Sequence, residues 1–349
     1  MINKRPIARR RDGAMSLEVK APDDDSAITE MIAFGDRLLC VKEKGIYEIK
    51  LADKIDPDRK NIQAPNTIQR VLPYGSNEPW IGSVLLTGHE LLKKEILNEQ
   101  VDVERAISLV LEVTQNIAGA KELMNVFRDT QSAERKKYSM KIKKDHSVML
   151  PSISGFTNKC KEFFQRSDHA LEGLFKVVQI FYPEMGKGKW DSLKKEVDNE
   201  STKIDNFSEV LDSMLPCLHF VRNARNCAEH PKREHKIITT DFSINQDNQL
   251  LPPSIEIVHP KTSQSAVAVV NLMSQICDSI VGISELMLVF LCNRQIRPIT
   301  GFSVQMLPAD QRRTDNIMSE DTKGVIRIRI SKKSRHHNVL KIQRGNQNP

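Results

Sequence analysis

Between residues 225 and 230 the chain reads Arg225-Asn226-Cys227-Ala228-Glu229-His230, followed by Pro231. An imidazole, a guanidinium and a carboxamide in one short segment suit the cleavage of RNA through its own 2′-OH. A base takes the 2′ proton, an acid protonates the 5′ leaving oxygen, and a fixed cation steadies the crowded phosphoryl oxygens. Histidine changes charge near neutral pH and serves as base or acid. Arginine offers a planar fork matched to phosphate. The scheme calls for no metal and no cofactor. Counting back from His230 by four, three and four residues gives Asn226, Asn223 and His219, one line along an α-helix. Arg225 stands about 140° from His230 on such a helix, so its long side chain must swing toward the group the imidazole meets. Arg222-Asn223 duplicates Arg225-Asn226. Spacing makes Arg225, Asn226 and His230 the catalytic candidates, with Arg222, Asn223 and His219 in support.

Helices must position these residues. Ile204, Phe207, Leu211, Met214, Leu218 and Val221 recur at steps of three and four, a helix that kinks or restarts at Pro216. It ends at His230, because Pro231 disfavours helical dihedrals for the residue before it. Upstream, Leu91, Leu92, Ile96 and Leu97 fit a short helix, and Val103 to Met124 fit a long one ending near Arg128. Six Lys or Arg between Glu134 and Lys144 form a solvated basic linker. Residues 168–182 give an amphipathic helix with Ser167-Asp168 as its N-cap and Pro183 as its stop. After Pro231 the period changes. Residues 237–242 and 254–258 alternate as the two strands of a hairpin, and 263–292 is a long apolar core helix. Its longest uncharged run, Thr262 to Cys277, is too short to span a bilayer. Near the N-terminus, apolar runs 31–34, 38–41 and 46–51, separated by Gly35-Asp36 and Lys44-Gly45, predict a β-meander, with one more strand at 67–72.

This order of elements, with Arg225-Asn226, three intervening residues and then His230, resembles the HEPN superfamily and its R-x4-6-H motif. The resemblance covers roughly residues 100–295. It implies a mainly α fold: a bundle of four main helices, the motif at the end of the third, and a terminal helix after a short insertion, here the hairpin 237–258. It further implies a metal-independent RNA endonuclease that dimerises so that two motifs face one cleft, plausible as a toxin or antiviral defence effector held by an inhibitor until triggered. Some members of that family bind nucleic acid or proteins without cutting, which is the alternative. A helix C-terminus also favours His and Arg, which complement its dipole and free carbonyls. It is the surrounding helical order that sets the motif apart from an ordinary cap.

Four segments follow: a loose basic-then-acidic terminus 1–26, a small β-rich unit 27–88, a helical domain 89–299, and a basic extension 300–349. The formal net charge is +7, but residues 322–349 hold eight Lys or Arg and no acid, and the first twenty hold six basic against two acidic. Residues 21–321 therefore sum to −5, and the overall basicity argues little for nucleic-acid binding by the body. In the extension, residues 325–330 alternate as a strand carrying Arg327 and Arg329, with Lys332 and Lys333 beyond, and these are the expected RNA-attracting cations. His230 and His235 stand five apart across a proline, and His259 lies on the hairpin, with no Cys or acid at ligand spacing, so no metal site is expected. Six scattered cysteines without a C-x-x-C pair indicate free thiols in a reducing cytoplasm.

Overall fold

The fold, taken from a computed structural model, describes residues 23–139, 143–185, 189–200 and 206–297, the single positions 7, 11, 19 and 141, and the backbone of 302–306 and 328–332. About 53% is helix and 18% strand, so the chain is mainly α, with a small N-terminal sheet.

The meander forms as its pattern predicts. Strands β1 (Ile28–Phe34), β2 (Arg37–Lys42), β3 (Ile46–Lys50) and β4 (Thr67–Leu72) pair antiparallel in the order β1-β2-β3-β4. One face, with Ile32, Phe34, Leu39, Val41, Ile46 and Leu72, belongs to the same continuous buried cluster as the helices. The other face buries Cys40, Tyr47 and Ile49 with Val19. Asp24, expected in a loose terminus, is 1% exposed. Its carboxylate accepts from Tyr47 Oη at 2.7 Å and lies 3.6 Å from Lys42 Nζ. Burial alone would lift its pKa. Hydrogen bonds from Ser26 and Tyr47, with the Lys42 charge, outweigh burial and hold it at about 2.

A folded-state pKa below the ordinary carboxylate value means stability that is present above about pH 4 and lost as pH falls toward 2. The shift corresponds to on the order of 2 kcal/mol. Urea unfolding at pH 5 and pH 2.5 should therefore show a larger loss on acidification in the wild type than in Asp24→Asn. Identical losses would mean that this buried pair is not acid-labile.

The helices begin earlier and run longer than their apolar spacing suggests. Residues 79–91 (α1) run from Pro79–Ile81 through a π-helical turn Gly82–Leu86 into Thr87–Leu91. This segment crosses residue 88 and lies where prolines predict loops. Pro79 is at the first helical position, where its missing N–H costs nothing. Leu92 is already the cap, and Leu97 makes an antiparallel bridge with Ile296 instead of continuing a helix. Helix α2 (Val103–Lys137) passes its expected end at Arg128 and takes in the start of the basic run, with Arg135, Lys136 and Lys137 in its last turn, where cations complement the dipole. Helix α3 (Phe156–Phe181) starts twelve residues before the expected 168. Gly155 supplies a left-handed φ of +68° at its cap, a conformation glycine takes without strain. Ser167 and Asp168 are consequently buried in mid-helix and cap nothing.

After α4 (Trp190–Asn199), α5 (Phe207–Glu229) is one continuous helix with Pro216 on its exposed side. The proline forfeits one backbone hydrogen bond, while Phe207, Leu211, Met214, Leu218, Val221 and Ala224 stay buried on the opposite stripe. His230 caps the helix, and its N–H reaches Asn226 O at 2.9 Å. The expected hairpin is a three-stranded sheet: β5 (Lys236–Thr240), β8 (Ser254–Val258) and β9 (Gln264–Ala268), ordered β5-β8-β9. Between β5 and β8 lies a two-residue ladder of β6 (Ser243–Ile244) and β7 (Leu250–Leu251). Residues 264–268 read as the start of the apolar helix, since a short apolar run fits either state. Pairing with β8 decides it, and α6 starts at Val269.

Helix α6 (Val269–Arg294) is long and apolar enough to cross a bilayer, yet 67% of its most apolar stretch is buried in the fold. Phe290 on α6 stacks on Phe207 of α5 at 4.7 Å. Each such fully buried side chain contributes about 1.5–3 kcal/mol. The late strand is β11 (Ile328–Lys332), which overlaps the expected 325–330, whose residues 325–327 lie outside the described residues, and it pairs antiparallel with β10 (Phe302–Met306). All six cysteines are free, and burial pushes the Cys160 and Cys277 thiols up to about 12.

Candidate active site

Four long helices among the described residues, α2, α3, α5 and α6, share one buried cluster, and the Arg225–His230 segment ends the third of them. Arg225 and His230 meet at one carboxylate. Arg225 Nη2 is 2.8 Å from Glu229 Oε2, and His230 Nε2 is 3.9 Å from the same oxygen. The other Glu229 oxygen accepts from Gln165 Nε2 of α3 at 2.8 Å. Asn226 Oδ1 receives Arg225 Nη1 at 3.3 Å. The His230 side chain is 73% exposed while that of Arg225 is 24% exposed. A solvent-facing imbalance of this kind suits a proton-transfer group beside a fixed cation.

The fixing comes from α3. Asp168 Oδ2 lies 3.6 Å from Arg225 Nε and 2.7 Å from Arg222 Nη1, and Glu172 also receives Arg222 Nη1. Asp168 and Glu172 are one turn apart on α3, facing Arg222 and Arg225 one turn apart on α5. Burial lifts the Asp168 carboxyl above its ordinary range, against the pull of the two guanidiniums. Arg225 Nε is buried and has no hydrogen-bond partner among the described residues, so the ion pair with Asp168 is what locates that end of the guanidinium.

The supporting residues on the same helical line part company. Asn223 Nδ2 donates to Thr262 Oγ1 at 3.1 Å, toward the inserted sheet. His219 Nε2 meets Asp191 of α4 at 3.2 Å. Neither is brought to the Glu229 carboxylate. Thr262 continues to His259 Nδ1 at 3.0 Å, and the His259 and His235 rings lie 4.9 Å apart. Burial, the His235 charge and Lys261 lower the pKa of His259. Two further imidazoles thus stand at the ends of β5 and β8, in the sheet region that follows the motif.

No family model, curated protein or solved structure matches this chain.

What the site can do therefore stands on its own geometry. Glu172 and Gln165 are not singled out by sequence pattern. Glu229 is legible as an i, i+4 partner of Arg225. Asp168 is hidden by its placement at an expected helix start, although Phe156, Cys160, Phe163, Ser167 and Leu171 already carry the helical period. Of the cations expected in the extension, Arg329 and Lys332 lie on β11, while Arg327 and Lys333 lie outside the described residues. A metal-competent cluster exists elsewhere: ligand atoms of Glu30, His89 and Glu90 fall within 4.8 Å of one another. There His89 Nδ1 shares a 2.7 Å hydrogen bond with Glu30, a tie between β1 and α1.

Proposed function

We propose that this chain is a HEPN-like, metal-independent RNA endonuclease, with His230 as the proton-transfer group, Arg225 as the phosphate clamp and Asn226 holding the arginine. The observation that supports it best is the convergence of Arg225 and His230 on Glu229, with the guanidinium anchored by buried Asp168 and the imidazole open to solvent. Glu229 would release Arg225 to an incoming phosphate, one anion replacing another at the guanidinium. RNA supplies its own nucleophile. A substrate with a single 2′-deoxy residue at the scissile position should therefore survive where its all-ribose counterpart is cut. Efficient cutting of the deoxy substrate would remove the 2′-OH mechanism.

Each chain offers one His230 for two proton transfers, and the proposal therefore includes a homodimer with two motifs facing one cleft. Sedimentation at micromolar concentration should show a dimer that cleaves. A cleaving monomer would leave His235 and His259 as the source of the second imidazole. The proposal extends to a cytoplasmic toxin or defence effector, whose trigger or inhibitor is another protein.

A second reading, a non-catalytic module that binds nucleic acid or a partner protein, is favoured by one feature. Arg222 and Arg225 face three carboxylates, Asp168, Glu172 and Glu229, so neither guanidinium is free before a ligand arrives.

A further inference from the structure

We propose that an open groove along the exposed face of α3 is a binding subsite for single-stranded RNA that leads into the motif, an assignment that rests on the nucleic-acid reading above. The groove encloses about 560 Å³ and, among the described residues, is lined by Asn158, Lys161, Glu162, Gln165, Arg166 and His169. Steps of three, one, three, one and three keep these six on one side of the helix over about 16 Å. Every lining side chain is polar or charged, which suits a backbone of phosphates and sugars better than an apolar ligand.

Three observations tie the groove to RNA. Gln165, its half-buried member, donates to Glu229, the carboxylate that Arg225 and His230 share. The groove therefore opens onto the motif without an intervening element. Its cations are also uncommitted. Among the described residues Lys161 and Arg166 have no ion-pair partner, in contrast with Arg222 and Arg225. Glu162 is the one acid among the described lining residues. Finally, Arg166 runs beside α2: its Cδ lies 3.3 Å from where a Cβ on Gly119 of α2 would stand. With no side chain at 119, the arginine stem has room to pass close to α2. Lys161 and Arg166 would take successive phosphates, and Asn158 and Gln165 offer carboxamides to a base edge or a 2′-OH.

Affinity for a labelled 2′-O-methyl oligoribonucleotide of about 12 residues, within the range that such grooves cover, tests this with the full-length protein over a salt series. The ligand has no free 2′-OH and is not cut. Lys161→Gln/Arg166→Gln should flatten the slope of log affinity against log salt by about 1.4, at about 0.7 for each single-strand phosphate that is no longer neutralised. By the same relation it should weaken binding about tenfold at 0.15 M salt. Lys60→Gln/Lys195→Gln, the same charge change at exposed lysines elsewhere, should leave both unchanged. If the groove variant binds like wild type, or if both variants weaken equally, the groove is not the subsite, and the nuclease reading is untouched so long as RNA is still cut. If wild type binds with the expected groove dependence but cuts no RNA, the subsite stands and the nuclease reading falls. A wild type that neither binds nor cuts overturns both.

Discussion

Replacing His230 with alanine should slow RNA cleavage at least about 100-fold, the lower range for removing a general acid–base group, or roughly 2.7 kcal/mol of transition-state stabilisation. The fold should not notice. His230 is the C-cap of α5, its ring is 73% exposed, and among the described residues its side chain has Glu229, at 3.9 Å, as its one charged partner. The helix-ending hydrogen bond to Asn226 uses its backbone. Cleavage rate and thermal midpoint, measured on the same preparation, separate the two effects. A folded His230→Ala protein that cuts RNA at the wild-type rate would remove His230 from the chemistry.

The second large effect should come from a residue that touches no substrate. Asp168→Ala leaves Arg225 Nε buried without its charge partner and Arg222 with Glu172 alone. Removing one member of a buried ion pair costs about 3–5 kcal/mol. Because Arg222 is half exposed here, about 3 kcal/mol is the better figure, a fall in Tm of roughly 4–5 °C for a chain of this length. Asp168→Asn should cost less, because burial already lifts the Asp168 carboxyl and a neutral amide is cheaper to bury. Both variants should lose cleavage, since neither keeps the charge beside Arg225 Nε and Glu229 alone is left to place the guanidinium. The informative comparison is Asp168→Asn at a temperature where it is fully folded: a drop in rate of about tenfold or more assigns Asp168 to aiming Arg225. A wild-type Tm in Asp168→Ala would show that the pair holds nothing together.

Much of the scaffold is legible in the sequence because it depends on short-range period. The meander shows in its alternation and turn residues, and the end of α5 in a single proline. Element starts and long-range pairings are not legible in this way. Helix α3 starts early because Gly155 accepts a left-handed cap that no capping side chain announces. Residues 264–268 form a strand because β8 presents an unpaired edge, which local apolarity does not reveal. Asp24 and Asp168 look like terminus and cap by propensity, and only tertiary packing shows them to be buried carboxylates with cationic partners. The Arg225–His230 pair is visible as letters at a spacing. Their meeting point at Glu229, and the α3 side chains behind it, depend on how two helices lie side by side.

The ends left on the cleaved RNA test the proposed chemistry most directly. Purified protein incubated with a mixed RNA pool, with and without EDTA, should cut equally in both and leave 2′,3′-cyclic phosphates or their opened forms, while His230→Ala leaves the pool intact. Abolition of cutting by EDTA, or 5′-phosphate and 3′-hydroxyl ends, would contradict it.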